Sequence, residues 1–450
     1  MTSLDHITEP EGQIPVVRRV DLVVVGGGPA GIAAAVAGAR NGLSVTLIER
    51  YAYLGGLASG GMVLVLDDMC NGDEISVRGL CGEMIDRMER IGLCVVPPES
   101  ERRSDPALWR KWSRWGVFDF HSHMKPQPIC YAAAFDPDGY KRVANAMIGE
   151  AKVDLRLHSW FSRAIVEDGR IVGVICESKS GRQAIMGKIV VDASGDLDVA
   201  ASAGAPFTHG SYIVTTVFRL GGVDVGAAER FEYEEPAAFN AVDREAKRIM
   251  GGSWDKWWLK TPLPGIVWCN CPHMAGLDGV KVEDLTRADF QGRERIAALV
   301  AFVREKMPGF EGAFVVDVAP QIGIRQTRLL DGVYVMTKDD VAQRRHFPDS
   351  VARGRDYYYP YRTMLPRNVG QLLVAGRHYS ATSSAQRNSR EIPPCMAMGE
   401  AAGVAAALAL DADIAVDRVD VARLQAKLRA QGGDPGDRPA SNALTAIAAE

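Results

Sequence analysis

Apolar runs separated by polar and glycine-rich breaks predict a strand, a helix and a second strand near the N-terminus. Residues 19–25 are rich in β-branched side chains, which is typical of a strand buried on both faces. A glycine turn and then small residues from 29 to 41 predict a short helix, and Gly42 can end it. Residues 43–49 form the next apolar run. This order predicts a right-handed crossover and a parallel sheet.

Further apolar segments predict more elements around this unit. Two hairpins are expected at the Asp168-Gly169 and Ser180-Gly181 turns, where strands meet glycine. The other predicted elements are strands at 153–158, 162–167, 170–178, 188–192, 212–222 and 371–376, and helices at 135–152, 285–307 and from Pro394 to about 410.

Composition narrows the class of protein. The chain has 450 residues, of which 47% are hydrophobic and 24% charged, as in ordinary globular proteins of two or three domains. Lysine and arginine minus aspartate and glutamate is 52 − 56 = −4, which argues against a nucleic-acid partner. The eight cysteines include no CxxC pair, so we expect no metal site.

The sequence carries no predicted membrane span. The stretch 22–39 is uncharged, but glycines and Pro29 interrupt it, so a strand, turn and helix explain it better. The first twenty residues are polar where a signal peptide would be apolar. We therefore expect a cytoplasmic protein.

A dinucleotide site is predicted where the first strand meets the first helix. Gly26, Gly28 and Gly31, with Pro29 and Ala30 between them, form a G-x-G-x-x-G turn in the required context of strand, turn, helix and strand. The helix N-terminus would offer N–H groups to a pyrophosphate. Glu49 ends the second strand and can accept hydrogen bonds from both ribose hydroxyls, which disfavours a 2′-phosphate.

The remaining glycine sites favour FAD over NAD as the cofactor. Arg50 is soon followed by Gly55, Gly56 and Leu57, which suit a ligand that continues past the pyrophosphate. Near the C-terminus the chain returns to a strand ending in Gly376-Arg377, and then to a helix opening at Pro394. A second G-x-G-x-x-G is absent from the sequence, so a separate nicotinamide domain is not expected.

The sequence resembles FAD-dependent oxidoreductases related to the heterodisulfide reductase A flavoprotein subunit and, more distantly, fumarate reductase-like flavoproteins. The segments that carry the resemblance follow the family's order: 24–50 with 54–59, 135–140, 188–204, 321–340 and 373–410. The chain lacks the cysteine-rich iron–sulfur modules of heterodisulfide reductase A subunits.

The resemblance implies an α/β protein with a doubly wound, Rossmann-type FAD-binding domain and an inserted α+β substrate domain. We expect the FAD domain at 15–66, 130–205 and 368–412, the substrate or cap domain at 67–129 and 206–367, and a C-terminal helix and tail at 413–450. The resemblance adds FAD-binding positions near the pyrophosphate and the riboflavin half, namely Ala193, Gly195, Gly376, Arg377, Gly399 and Gly403.

Four residues are candidates for catalysis. His378 lies two residues after Gly376, and its ordinary pKa suits a base; it could instead hydrogen-bond the cofactor or backbone. Arg325 and Arg390 could bind a substrate carboxylate or stabilise reduced flavin. Tyr359 belongs to a tyrosine run that could line a substrate pocket.

The expected activity is a two-electron (hydride) oxidation or reduction of a small organic substrate on noncovalent FAD. The electron acceptor is left open among dioxygen, a quinone and a protein carrier, and a homo-oligomer stays open. The alternatives are a flavin monooxygenase and an electron-transfer subunit that works with an iron–sulfur partner.

Overall fold

The computed structural model describes residues 7–72, 74–253 and 256–439. The strands of these ranges are β1 Val16–Val25, β2 Val45–Ile48, β3 Val65–Leu66, β4 Cys70–Asn71, β5 Glu74–Ile75, β6 Cys94–Val95, β7 Ala133–Phe135, β8 Asp154–Arg156, β9 Trp160–Glu167, β10 Arg170–Ser178, β11 Gly181–Asp192, β12 Phe207–His209, β13 Val214–Thr215, β14 Phe218–Gly221, β15 Trp258–Lys260, β16 Val267–Cys269, β17 His273–Met274, β18 Phe314–Val318, β19 Gly323–Ile324, β20 Arg328–Leu330, β21 Ser350–Arg353, β22 Tyr358–Pro360 and β23 Leu372–Val374. The α-helices are α1 Pro29–Arg40, α2 Gly56–Ser59, α3 Leu80–Arg90, α4 Pro106–Trp112, α5 Pro137–Glu150, α6 Asp198–Ser202, α7 Val225–Glu234, α8 Pro236–Ile249, α9 Val282–Lys306, α10 Lys338–Ala342, α11 Ser383–Arg387, α12 Ile392–Asp411 and α13 Val421–Ala430.

A seven-stranded sheet forms the centre of the fold. Its parallel part runs in the order β8-β2-β1-β11-β23, and the N-terminal half of β11 pairs antiparallel with β10, which pairs with β9. Side chains of β1 alternate between two apolar cores: Leu22 and Val24 enter one, and Val23 and Val25 enter the other. The uncharged run is therefore a strand covered on both faces, as predicted.

The predicted hairpins are confirmed, and one predicted strand is wrong. Asp168-Gly169 joins β9 to β10, and the next turn joins β10 to β11. Residues 212–222 do not form one strand, because the chain changes sheets after β13. That strand pairs with β17 and β19, whereas β14 pairs with β16 and β18.

Helix α12 packs closely along α1. A Cβ at Gly399 would lie 2.0 Å from the carbonyl oxygen of Ala30, and one at Gly403 would lie 2.4 Å from that of Ala34. Glycine at both positions lets the two backbones approach. By length and composition α12 is also apolar enough to cross a membrane, but 78% of its apolar window is buried, as in the core helix of a globular protein.

Smaller sheets and helices form the inserted part of this α/β fold. Sheet β15-β16-β14-β18 and helices α7 to α9 surround a separate apolar core. Helix α3, which we expected in the cap, instead shares the core of α1 and α12. The C-terminal helix is α13, and positions 440–450 of the expected tail lie outside the described residues.

Candidate cofactor-binding and active site

An open cleft lies at the carboxyl edge of the parallel strands. The turns that follow β1, β2, β11 and β23 all contribute to its wall, because parallel strands end at the same edge. Its empty volume, including solvent at the mouth, is about 900 Å³. Twelve of the sixteen predicted cofactor residues line it: Gly26, Gly28, Pro29, Ala30, Glu49, Arg50, Gly56, Leu57, Ala193, Gly195, Gly376 and Arg377.

The three motif glycines have different local roles. A Cβ at Gly26, which has a φ of +105°, would lie 2.4 Å from the carbonyl oxygen of Ala193. A Cβ at Gly31 would lie 1.8 Å from the carbonyl oxygen of Gly26, so this glycine closes the turn. At Gly28 the nearest described atom would be the Cα of Gly56 at 3.9 Å. Only Gly28 therefore leaves open space beside the cleft.

Glu49 is buried at the end of β2 and is held by the backbone. Its Oε2 accepts a hydrogen bond from the Gly27 N–H at 2.6 Å, and its Oε1 accepts one from the Tyr51 N–H at 2.8 Å. Burial raises the pKa of Glu49 above its ordinary value, although these two N–H groups oppose the shift. The carboxyl group is thus fixed beside the glycine turn.

Charged side chains line the part of the cleft beyond Glu49. Arg377 donates to Asp196 Oδ1 at 2.8 Å and lies against Gly195, where a Cβ would be 2.5 Å from its Nη1. Arg50 approaches the other Asp196 oxygen at 3.8 Å and lies over the Trp160 ring at 5.5 Å. Burial opposes ionisation of Asp196, but Arg377 and Arg50 bring its pKa below the ordinary value.

Two helix N-termini contribute residues to this cleft. Gly28 begins α1 and Glu391 begins α12, and neither helix has a side-chain cap within the described chain. Such uncapped ends attract anions and electron-rich groups. Cys395 lies in the first turn of α12, where burial and Glu391 raise its pKa to about 12. Its thiol stays protonated and donates to the Arg390 carbonyl oxygen.

His378 lines the cleft with a fully buried ring. Its Nε2 is 3.2 Å from Asp192 Oδ1 and 3.1 Å from the Asp192 carbonyl oxygen. Asp192 also accepts hydrogen bonds from Ser194 and from the Ala200 N–H. Burial opposes ionisation of Asp192, but His378 and these donors lower its pKa. Nε2 is thus committed to Asp192, and only Nδ1 can meet a ligand.

The two predicted arginines are close to one another, but only Arg390 lines the cleft. Arg325 lies behind it, with Nη2 at 3.4 Å from the Asn270 Oδ1. Burial and the neighbouring Arg390 lower the pKa of Arg325 to about 10. The charge of Arg390 is only partly balanced, since Glu391 lies 3.6 Å away. This end of the cleft is therefore positively charged.

Five predicted site residues do not line the cleft, in addition to Arg325. Tyr359 is a correction: its ring is fully buried beside Tyr379, and its hydroxyl donates to the Ser389 carbonyl oxygen. Tyr359 can lie in the core because its hydroxyl group is hydrogen-bonded to a backbone carbonyl there. Gly399 and Gly403 are corrections too, since they pack α12 on α1. Gly31 and Gly55 shape the turns behind the cleft, where a Cβ at Gly55 would lie 2.4 Å from Ser59 Oγ.

Several lining or neighbouring residues were not predicted from the sequence. Ser159, Trp160 and Phe161 line the cleft beside Arg50, and Gln321 lines it with a buried Oε1 that has no hydrogen-bond partner in the described ranges. No sequence motif marks residues 159–161 as part of a site. The only indication for Gln321 in the sequence is that it lies in one of the segments that resemble the family. Asp67 follows β3 and is close to Glu391; burial and that carboxylate raise its pKa well above the ordinary value.

The residues present fit a bound FAD. Among the described residues, His378 Nδ1, Arg377 Nε and Arg390 Nε are buried without hydrogen-bond partners, and all three side chains line the cleft. Buried polar groups normally find partners, so these atoms are suited to a polar ligand. Two uncapped helix ends and the open side of Gly28 suit its pyrophosphate. Within the same ranges no three His, Cys, Asp or Glu side chains are grouped to hold a metal ion.

Known proteins are similar to this chain at the level of family and fold. The family model described as FAD dependent oxidoreductase matches residues 21–359 and 353–428. Digeranylgeranylglycerophospholipid reductase 1 of Methanopyrus kandleri is 29% identical over 177 residues, which are 39% of each chain. The match therefore spans well under half of that relative.

Solved structures with low sequence identity cover most of the chain. A geranylgeranyl bacteriochlorophyll reductase-like protein of Thermoplasma acidophilum is 14% identical, with a TM-score of 0.45 and coverage of 92% of this chain and 84% of the other. The p-nitrophenol 4-monooxygenase of Pseudomonas putida is 13% identical, with a TM-score of 0.42 and coverage of 88% and 79%.

The matched ranges include the glycine turn, Glu49, the end of β11 and the whole of α12. A match of this length agrees with the cleft, its fit to a dinucleotide and the α/β fold around it. The chain belongs to the FAD-dependent oxidoreductase family and is an enzyme with FAD as its cofactor.

Proposed function

We propose that the protein carries out a two-electron (hydride) oxidation or reduction of a small organic substrate, using FAD bound noncovalently in the cleft. The observation that carries this proposal is the cleft itself. It is one continuous cleft that joins the open side of Gly28 to the uncapped end of α12 and to Arg390. FAD, when bound, supplies the hydride acceptor or donor.

The cofactor-binding roles are proposed for the residues that line the cleft. Glu49 is placed to accept hydrogen bonds from ribose hydroxyls, and the α1 N-terminus is placed to bind pyrophosphate. Arg50 and Trp160 form a stacked pair at one end, which suits the flat adenine ring. Cys395 stays a thiol with a pKa of about 12, which supports noncovalent attachment.

Arg390, supported by Arg325, is proposed to orient an anionic group of the substrate, such as a carboxylate. Burial and the neighbouring Arg390 lower the pKa of Arg325, and an anion bound beside the two guanidinium groups would be attracted by both charges. The aliphatic part of Ile392 lies on the same side of the cleft and would cover the apolar part of a small substrate.

Asp67 is proposed to exchange the proton that accompanies hydride transfer. Its carboxyl group is buried beside Glu391 and Arg390, and burial and the Glu391 carboxylate raise its pKa well above the ordinary value. A tuned carboxyl of this kind is a common general acid or base. His378 remains the alternative base; its commitment to Asp192 favours another role, argued below.

The finer assignments belong to the same proposal. They comprise the expected relation to heterodisulfide reductase A, a cytoplasmic location, a homo-oligomeric state, and an acceptor among dioxygen, a quinone and a protein carrier. The cap at 67–129 and 206–367 is proposed to supply substrate specificity, with α3 excepted because it packs in the core of the FAD domain.

Anaerobic reduction of the purified holoenzyme tests the proposal. A panel of small hydroxy and amino compounds, each with and without a carboxylate, is mixed with the oxidised protein, and loss of oxidised-flavin absorbance is followed. We expect carboxylate-bearing members to act, and Arg390→Met to raise the concentration they require by about tenfold or more, as for loss of one charged hydrogen bond. If no compound acts and the reduced protein passes electrons only to an iron–sulfur protein, the electron-transfer alternative replaces the proposal. In a separate turnover under labelled dioxygen, incorporation of the label into product indicates a monooxygenase.

A further inference from the structure

The His378 ring has two nitrogens in different environments. Nε2 faces two oxygens of Asp192, the carbonyl at 3.1 Å and Oδ1 at 3.2 Å. Neither oxygen carries a hydrogen when the carboxylate is ionised, so Nε2 must carry one. In the neutral ring Nδ1 is then the hydrogen-bond acceptor.

Nδ1 is buried and without a hydrogen-bond partner among the residues that the structure describes. The atoms above it belong to Gly376, which lines the cleft. A Cβ at Gly376 would lie 3.4 Å from Nδ1 and 3.3 Å from Cε1, so any side chain there would cover this edge of the ring. With glycine at position 376, no side chain of that residue stands between this edge of the ring and the cleft that both residues line. An unpartnered buried acceptor costs free energy until a donor arrives.

We propose that His378 binds the FAD directly, by accepting a hydrogen bond at Nδ1 from a hydroxyl of the cofactor, and that Asp192 is the positioning residue that fixes the ring. This inference rests on the proposed function only in requiring that FAD occupies the cleft. It assigns His378 to cofactor binding instead of proton transfer with the substrate.

Asp192 is built to keep the ring in place. Its Oδ1 accepts from the Ser194 hydroxyl at 2.6 Å, and its Oδ2 accepts from the Ala200 N–H at 2.9 Å, so the carboxylate cannot rotate freely. Of the other charged groups near Asp192, Arg377 and Asp196 are paired with each other at 2.8 Å, and Asp198 is paired with Arg328. Asp192 is therefore the charged group left to hold Nε2.

Two substitutions separate the two ring nitrogens. His378→Gln reaches the position of Nε2 and keeps a donor for Asp192, but it removes the acceptor at Nδ1. His378→Asn places an amide near Nδ1 and gives up the bond to Asp192. We expect the Kd for FAD, measured by flavin fluorescence, to rise about three- to tenfold in His378→Gln, as for one neutral hydrogen bond, and less than about threefold in His378→Asn.

Equal Kd values for wild type and His378→Gln would overturn the inference. A greater loss of FAD affinity in His378→Asn than in His378→Gln would also overturn it. The role of Asp192 is tested by Asp192→Asn alone and combined with His378→Gln. A positioning residue predicts that its effect on Kd largely disappears when the Nδ1 acceptor is already gone. If the effects of the two substitutions on the Kd for FAD are fully additive, Asp192 has a structural role and does not position His378.

A measurement on the wild-type protein keeps the inference falsifiable if a variant fails to fold. The chain has eight histidines, and ¹⁵N-histidine labelling reports the protonation of each ring nitrogen. We expect one buried ring to carry hydrogen on Nε2 and its Nδ1 signal to move on addition of FAD. If FAD binds and no unprotonated Nδ1 signal moves, the inference fails while the proposed function stands. If FAD does not bind at all, the proposed function fails first.

Discussion

Identical residues in one motif have different physical reasons to be glycine. Gly31 is required by the protein, because a Cβ there would overlap the Gly26 carbonyl oxygen. At Gly28 the described structure leaves room for a Cβ, so we propose that the ligand is what excludes a side chain there. Both glycines match the same sequence motif. Only the distances from a Cβ at each position to the surrounding atoms distinguish their roles.

Gly28→Ala and Gly31→Ala form a matched pair that tests this difference. We expect Gly28→Ala to fold and melt as the wild-type apoprotein does, but to bind FAD at least about tenfold more weakly, because the methyl group enters the space of the pyrophosphate. Gly31→Ala should lower the free energy of unfolding by about 1–3 kcal/mol or more through overpacking. Thermal melts of the apoproteins and FAD titrations measure both. Normal FAD affinity in Gly28→Ala would show that the cofactor does not approach this turn.

Asp67 and Asp68 allow a second matched pair at the residue scale. We expect Asp67→Asn to retain FAD and to slow substrate-driven flavin reduction by about 10²–10⁴-fold, because it removes the proposed proton-transfer group. Asp68 is the adjacent carboxyl group and accepts a hydrogen bond from the Tyr357 hydroxyl at 2.8 Å. Asp68→Asn therefore controls for an aspartate-to-asparagine exchange at the neighbouring position. Stopped-flow reduction of both variants is the measurement. Equal rates in the two variants would assign the proton to another group.

Helices and strands were predicted best where residues close together in the sequence determine them. The strand and helix around the glycine turn, the two hairpins and α12 follow from β-branched runs, turn residues and an apolar period. Tyr359 and Gly403 were misassigned because their roles depend on partners far along the chain, namely the Ser389 carbonyl and the backbone of α1. Nothing within a few residues of either position encodes that partner.

Helix α12 also carries a buried carboxyl group that links it to α3. Glu400 Oε2 accepts a hydrogen bond from the Leu80 N–H at 3.0 Å, which caps the α3 N-terminus from another element. Only 4% of Glu400 is exposed, and burial raises its pKa to about 7. We therefore expect the packing of the two helices to weaken as this carboxyl group ionises.

Glu400→Gln tests this coupling through stability. Because its pKa is raised on folding, Glu400 contributes stability below pH 4.5 that is lost as pH rises towards 7, up to about 3 kcal/mol. The glutamine keeps the acceptor for Leu80 and does not titrate. Chemical unfolding at several pH values should show a steeper loss in the wild type than in the variant across this window. Parallel pH profiles would contradict the raised pKa.

At the scale of the whole molecule, the fold class was predictable from the sequence, but the apolar core to which each segment contributes was not. The β-α-β unit and the returning C-terminal helix are enough to predict an FAD domain built from separate segments. The sequence does not reveal that α3 and the tyrosine segment pack in the same core as α1 and α12. Core membership depends on contacts between segments far apart in the chain, which no local pattern records.

The positive end of the cleft is also a property of the whole molecule. Arg325 comes from the segment after β19, Arg390 from the start of α12, and Asp67 from the segment after β3. The sequence predicted the two arginines as separate candidates. The lowered pKa of Arg325 beside Arg390, and the carboxyl group near them, emerge only when the three segments meet.

An absorption spectrum of the purified protein, repeated on the supernatant after acid precipitation, tests the central claim most directly. The account predicts a flavin spectrum whose chromophore leaves with the supernatant and is identified as FAD, because noncovalent binding in the cleft is proposed and the pKa of the Cys395 thiol is raised to about 12. A colourless protein that cannot be reconstituted with FAD would contradict it.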